Sequence, residues 1–189
     1  LSLLENGTEI RIATGRGKSV GESLRHSFNH KYWPLIKVGY YNGACLCALG
    51  EERNLEEWKR VSCDAKLKAF SIELQRRMPA DYIEYELSER NLQLSIEKIK
   101  TTSEAETLYS ACREIIWDKQ LSGICVWRSS HSMDVVVCCE VSKRRVIEDE
   151  EHTLCIGDYG NVEGNDYEIL TSKFSLSVDK VSKSPDRCW

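Results

Sequence analysis

Proline and glycine are scarce, three and 11 in 189 residues, which leaves little material for long flexible or polyproline linkers. No apolar run approaches the ~20 residues that a membrane span requires. If this protein meets a membrane, it lies on it. The opening Leu1-Ser2-Leu3-Leu4 runs at once into Glu5, without the basic flank or apolar length of a secretory signal. A start on leucine raises the expectation that an N-terminal segment is missing. Charge of one sign is not in excess either. The net charge of −4 supplies no bulk attraction to nucleic acid or anionic lipid. Internal repeats and low-complexity stretches are absent. What remains, 41% hydrophobic and 30% charged residues, is the composition of a globular chain long enough for one domain with a real core.

Cysteine is the exception to this scarcity. There are nine, an odd number without a regular framework, which reads as reduced thiols serving as small buried apolar residues. A zinc site drawn from Cys45, Cys47, Cys63 and His26 or His30 lacks the C-x-x-C and H-x₃₋₅-H spacings, so no metal and no cofactor is expected. His26, His30, His131 and His152 all sit in polar contexts with no signature of a cysteine–histidine pair.

Residues 8–14 alternate around Ile10 and Ile12 with the period of a half-buried strand, and Gly15-Arg16-Gly17-Lys18 breaks it as a turn. Ser19 is placed to cap a helix to about Asn29, with Val20, Leu24 and Phe28 on one face. Residues 35–49 read as two strands or one bent strand, interrupted at Asn42-Gly43. Residues 50–60 are charged and read as exposed, with Leu55 and Trp58 their only large apolar side chains. Phe70, Ile72 and Leu74 alternate with polar neighbours, which predicts a strand over 66–76. Residues 83–87 and 92–96 form a hairpin pattern. Thr102 or Ser103 caps a helix to about Asp118, with Leu108, Cys112, Ile115 and Ile116 as its buried stripe. Strands at 123–127 and 134–141 follow, then strand-like runs at 153–156 and 172–178. Without βα alternation the expected class is α+β: an antiparallel sheet with two main helices on one face and a β-rich C-terminal tail. The expected boundaries are a core at 1–143 and an extension at 144–189 packed on the same domain.

Three constellations carry possible chemistry. Asp134, Glu140 and Lys143 place two acids and a lysine along one strand, as metal-dependent nucleases do. Strand periodicity sends Lys143 to the opposite face from the acids, and a buried strand flanked by solvated charges accounts for the same residues. Gly15-Arg16-Gly17-Lys18-Ser19 before a helix has part of a phosphate loop, but not the full G-x-x-x-x-G-K-[ST]. A helix N-terminus with Arg16 and Lys18 could hold an anion such as a lipid phosphate. Finally, residues 8–50 hold six bases against two acids, and residues 59–77 again six against two. Basic segments in an acidic chain suit a protein that touches an anionic surface.

The run Thr8-Glu-Ile-Arg-Ile-Ala-Thr14, its Gly/Arg turn and the following helix into Asn29-His30-Lys31-Tyr32-Trp33 resemble the start of the core of rhabdovirus matrix proteins. Ala44-Cys-Leu-Cys-Ala-Leu-Gly50 with Asn54-Leu55, then Asn91 to Glu97, then Ser103-Glu-Ala-Glu106 through Trp117-Asp118, resemble later elements of that family in the same order. The resemblance implies a non-enzymatic protein that condenses a nucleocapsid, self-associates and coats the inner face of an envelope during budding. Its implied partners are copies of itself, a nucleoprotein–RNA complex, an anionic inner leaflet, a glycoprotein tail and host factors. Its implied location is the virion and the host cytoplasm, membrane face or nucleus. Anion or nucleocapsid contact falls to Arg11, Arg16, Lys18, Arg25 and Lys31; membrane or self-contact falls to Leu55 and Trp58. A family proline motif is absent, and residues 144–189 match nothing in the family. A cellular α+β adaptor is the third reading.

Overall fold

The computed structural model describes residues 1–51, 55, 57–58, 60–79, 81–129 and 132–180. Asn54, Lys59 and His131, together with part of the acidic run after Gly50, lie outside the described residues. The chain divides into two compact units. Unit 1 comprises 1–60, 141–161 and 166–189, and unit 2 comprises 61–140 and 162–165.

Unit 1 is built from two short parallel pairs. Strand β1 (Ile10–Ala13) pairs parallel with β2 (Ile36–Gly39), and β2 pairs antiparallel with β3 (Cys45–Ala48). A parallel pair needs a crossover. Here it consists of helix α1 (Lys18–Ser27) and a 3₁₀ segment, His30–Leu35, whose first turn is capped by the Asn29 side chain accepting from the Lys31 N–H. Ile36, Val38, Tyr40, Cys45, Cys47 and Leu49 form the buried centre, with Val20 and Leu24 of α1 and Phe28 just after it packed against it. The second pair, β8 (Cys155–Tyr159) with β9 (Ser175–Lys180), is also parallel.

Unit 2 is an antiparallel sheet in the order β4 (Glu86–Glu89), β5 (Gln93–Glu97), β7 (Met133–Val137), β6 (Ile124–Arg128). Helices α2 (Ala65–Arg77) and α3 (Thr102–Asp118) bury Leu67, Phe70 and Leu74, and Leu108, Ala111, Cys112 and Ile115, against Leu94, Ile96, Met133, Val135 and Val137 of the sheet. The spacings i, i+3, i+7 in α2 and i, i+3, i+4, i+7 in α3 are what one core-facing stripe requires. Thr101 and Glu104 close a capping box on α3. Glu73 of α2 receives Arg76 and Arg77, and Arg77 reaches Asp118 of α3 at 2.8 Å, tying the helix ends together. Arg76 and then Arg77 hold the Glu73 carboxyl well below the usual range.

The α+β class is borne out, with an antiparallel sheet carrying two helices on one face in unit 2. One expectation within it fails. Residues 66–76 are not a strand but lie in α2, begun by Asp64 accepting from the Lys66 N–H at 2.8 Å. The alternation of Phe70, Ile72 and Leu74 misled because only two of the three are core. Phe70 and Leu74 are fully buried, whereas Ile72 is 69% exposed. The same residues fit a helical stripe once Leu67 is counted. Two substitutions separate the readings by urea unfolding. Phe70→Ala should cost about 3–5 kcal/mol, and Ile72→Asp should stay within about 0.5 kcal/mol of wild type; a strand buried at all three positions would make both severe.

Candidate functional site

In open sheets with parallel strands, ligand sites gather beyond the carboxyl ends of the strands. In unit 1, β1 ends at Ala13 with Thr14 next, β8 ends in Asp158-Tyr159, and the polar groups at these ends are linked through one chain of contacts. Thr14 donates its N–H to the Gly39 carbonyl at 2.9 Å and accepts the Asn42 N–H on its own carbonyl at 2.7 Å. Its hydroxyl accepts the Arg16 N–H at 3.1 Å, so the Gly15–Gly17 turn folds back on the strand end before α1 begins.

The link from β2 to β3 holds three consecutive left-handed residues: Tyr41 at φ 50, Asn42 at φ 55 and Gly43 at φ 82. For residues with a Cβ this conformation costs of order 1–3 kcal/mol each and persists only where surroundings enforce it. The enforcement is visible. The Tyr41 N–H donates to the Arg16 carbonyl at 3.1 Å, and its ring stacks on Trp58 with centroids 4.5 Å apart. Gly17 leaves room for the Tyr41 hydroxyl, since a Cβ there would lie 2.1 Å from that oxygen. Gly43 presses on the next element in turn: a Cβ would stand 2.2 Å from the Ser142 carbonyl oxygen.

Ser142 opens the 3₁₀ turn Lys143–Val146, its hydroxyl accepting from the Arg144 N–H. Lys143 is buried, and its Nζ meets Asp166 Oδ1 at 2.5 Å. Asp166 Oδ2 accepts the N–H groups of Asp158 at 3.0 Å and Tyr159 at 3.3 Å. Its backbone carbonyl accepts the Leu170 N–H at 3.0 Å, just ahead of helix α4 (Tyr167–Leu170). Gly157 permits the approach, because a Cβ there would fall 2.9 Å from Asp166 Oδ2.

Burial works to raise the Asp166 carboxyl, but the Lys143 ammonium and the surrounding hydrogen bonds outweigh it and hold Asp166 below the ordinary range. Asp158 moves the other way: its hydrogen bond to Asp166, then burial, raise it. The pair therefore presents one firmly ionised carboxylate, neutralised by a buried cation, beside an exposed carboxyl that accepts a proton more readily. Among the described residues, no group of three His, Cys, Asp or Glu is gathered closely enough to hold a metal ion. The eight described cysteines are free, and burial pushes the Cys112 thiol up to about 12, far from a nucleophile.

The expected site residues fall elsewhere. Arg11 is engaged by Glu9, by Glu148 at 2.5 Å and by the Val146 carbonyl at 2.8 Å, with Lys37 also on Glu148. Lys18 pairs with Glu22 at 3.9 Å, Lys31 stands 4.6 Å over the Tyr32 ring, Arg25 is half-buried on α1, and Arg16 is exposed at the turn. Leu55 is fully buried and Trp58 is stacked on Tyr41, so neither is the exposed contact that a charged segment suggested. Asp134 accepts from Gln93 at 2.9 Å and Ser95 at 2.8 Å within unit 2. Lys143 belongs to unit 1 and is committed to Asp166, so the nuclease constellation with Glu140 gains no support. Sequence reasoning missed Asp158 and Asp166; the available signal was Gly157-Asp158 closing a strand-like run and Asn165-Asp166 opening a helix.

No family model matches the sequence, and no curated protein matches it. Solved structures do. IMP-nucleotidase from Plasmodium falciparum, in an N-terminally truncated form, superposes with a TM-score of 0.61 at 14% identity over 96% of this chain and 59% of that one. Its ATP-bound form gives 0.58 at 14%, covering 95% and 50%. The C-terminal domain of a C. albicans trehalose-6-phosphate phosphatase gives 0.57 at 14%, covering 95% and 71%. The chain thus spans less than three-fifths of the nucleotidase chains that it matches. At these identities the likeness establishes the fold. It overturns the matrix-protein resemblance and with it the expected virion structural role; the expectation of a protein without catalysis rested on that resemblance and falls with it, the matched structures being by name a nucleotidase and a phosphatase.

Two outcomes test the site's construction. Gly43→Ala should cost about 2–4 kcal/mol in urea unfolding, from positive φ and the clash with Ser142 together; Gly7→Ala, with positive φ but open space, should cost about 1–2. Asp158→Asn should raise the unfolding midpoint slightly at pH 7. A carboxyl whose folded pKa is raised loses stability as pH rises through that value, so the gain should shrink as pH falls and the wild-type carboxyl takes its proton. An equal gain at pH 4 and pH 7 would show that Asp166 does not influence Asp158.

Proposed function

We propose that this chain is the phosphate-binding part of a phosphohydrolase acting on small organic phosphate monoesters. The observation that carries the reading is the buried Lys143 ammonium, held by Asp166 beyond the carboxyl ends of parallel strands in unit 1. A lysine ammonium has three N–H donors, and Asp166 takes one. The Thr14 hydroxyl and the Gly15–Gly17 turn ahead of the ten-residue helix α1 add an N-terminal anion locus linked to Lys143 through Asn42, Gly43 and Ser142. Asp158 stands at the end of β8 as the group able to accept or return a proton. The matched enzymes, by name a nucleotidase for IMP and a phosphatase for trehalose 6-phosphate, support phosphate monoesters as the shared chemistry without choosing between nucleotide and sugar.

The test is calorimetric binding of IMP, trehalose 6-phosphate and inorganic phosphate to the 189-residue chain, followed by release of phosphate from the two esters. Lys143→Met removes the cation and, by stranding Asp166, should also cost about 3–5 kcal/mol of stability. Lys143→Met/Asp166→Leu removes both members and keeps the fold testable. The double variant should bind phosphate at least about tenfold more weakly, one lost charge-assisted contact being worth 1.5–3 kcal/mol. Wild-type affinity in a folded double variant, or no binding by the wild type to any of the three, would overturn the proposal.

A further inference from the structure

Between Asp158 and Asp166 the chain leaves unit 1 and comes back to it. Residues 162–165 belong to unit 2, whereas Asn161 before them and Asp166 after them belong to unit 1. The excursion is pinned by Arg128, the last residue of β6, which lies at one edge of its sheet. Its N–H donates to the Glu163 carbonyl at 2.9 Å, and its carbonyl accepts the Asn165 N–H at 3.1 Å. Arg128 thereby stands in parallel register with Gly164. The same residue adds a side-chain hold, Nη1 donating to Glu163 Oε2 at 3.1 Å. The guanidinium also lies over the Tyr109 ring of α3, 5.3 Å from its centre, and the side chain is only 14% exposed. A sheet edge accepts an extended segment through main-chain bonds alone, whatever its sequence. The ion pair selects this segment, and with one partner sheltered it is screened less than a pair wholly at the surface.

At the end of the same few residues, Asp166 closes the loop onto unit 1. Its carboxylate takes Lys143 Nζ and the N–H groups of Asp158 and Tyr159, while its own N–H reaches the Tyr159 carbonyl at a long 3.3 Å. Asn165, bonded to β6, and Asp166, bonded to Lys143, are consecutive residues. Gly160 and Gly164 give the intervening chain a freedom that pinning at Glu163 and Asn165 removes. We infer that Arg128 is a positioning residue for Asp166, acting through Glu163, Gly164 and Asn165. The Lys143–Asp166 ion pair is then held by two elements, the end of β8 and the edge strand β6. A change in how 163–165 sit on β6 reaches Asp166 through one peptide bond. The effect on the carboxylates follows from these contacts alone, whereas any effect on phosphate affinity rests on the phosphate reading of Lys143.

The first measurement needs no ligand: the carboxyl titrations of Asp158 and Asp166 are followed by NMR in the 189-residue chain and its variants. Lys143 and Asp166 are the charged groups that face Asp158, and the hydrogen bond with Asp166 is what raises its carboxyl most. Arg128→Ala should lower the Asp158 titration and raise that of Asp166, so that the two draw together. Glu163→Gln, which keeps the Arg128 main-chain bonds and the contact with Tyr109, should shift both in the same directions by less. Arg128→Lys keeps a cation for Glu163 and should restore most of the wild-type separation. Amide exchange at Val126 and Val135 checks that the unit 2 sheet is intact in each variant; a merely structural role would leave the unit 1 carboxyls where they are. Inorganic phosphate should bind Arg128→Ala roughly 2- to 30-fold more weakly than wild type, with Arg128→Lys closer to wild type. Titrations unmoved in both Arg128→Ala and Glu163→Gln would overturn the inference, as would equal phosphate affinity in both variants of a wild type that binds. Titrations that draw together in a chain that binds no phosphate would support the positioning of Asp166 and overturn the phosphate reading alone.

Discussion

A lysine ammonium withdrawn from water must be paired, and much of unit 1 is arranged around that requirement. Lys143 is buried, and a charge in that position without a partner would cost several kcal/mol. Asp166 meets it at 2.5 Å, but a buried carboxylate has its own demand for donors, which the Asp158 and Tyr159 N–H groups satisfy. Those N–H groups are presented by the irregular end of β8, where the pairing with β9 shifts register between Gly157 and Tyr159. Gly157 must be glycine for Asp166 to fit. One ion pair thus fixes the bulge, the glycine and the start of α4. A buried pair is seldom a net gain in stability over apolar residues of the same size, so its persistence argues for a use of the charge.

The strained turn between β2 and β3 points the same way. Tyr41 and Asn42 hold positive φ, which a sequence optimised for stability alone would avoid or assign to glycine. Their surroundings hold them there: the Arg16 and Thr14 carbonyls accept their N–H groups, and Trp58 takes the Tyr41 ring. Trp58 and Leu55, which charge density alone placed at the surface, are anchors of this turn and of the core beneath it. The turn in turn sets Gly43 against Ser142, so the end of β1 and the 3₁₀ segment bearing Lys143 are positioned by one stiff piece of backbone.

How much of this was legible depended on whether the cause was local. The helix read from Thr102 or Ser103 to Asp118 is α3, its start displaced by a capping box that begins at Thr101. The hairpin pattern became β4 and β5, and the tail runs became β8 and β9. The alternation of Phe70, Ile72 and Leu74 failed because three points fit period two as well as a helix whose middle residue faces water. Parallel pairing was not legible. Partners such as Ile10 and Ile36 are separated by a crossover, and no local pattern records which distant strand lies alongside. The same holds for Lys143 and Asp166, 23 positions apart. Read within its own strand-like run, Lys143 belonged with Asp134 and Glu140; only the tertiary fold reassigns it. The Gly15–Ser19 fragment runs into the first turn of α1, whose N-cap is Gly17 and not Ser19.

The likeness to phosphatases and nucleotidases and the chemistry of the Lys143 site are separate lines of argument, and they differ in reach. At 14% identity a shared fold carries the positions of strand ends and crossovers, because these follow from backbone geometry that many sequences satisfy. It does not carry a substrate. The ion pair is a property of this chain's own residues, and it supplies what the fold alone lacks: a reason for a positive charge to be held out of water at a strand-end site. Under the proposed reading, a phosphate monoester, doubly charged near neutral pH, is the ligand class that would offset that cost. Bulk charge in a chain of net −4 would repel such a ligand weakly, so attraction has to be local, and a desolvated ammonium is screened by salt far less than surface lysines are. Of the basic residues first singled out, Arg11 and Lys18 are paired with neighbouring carboxylates, whereas the Lys143 cation lies buried against Asp166 and was concealed by that burial.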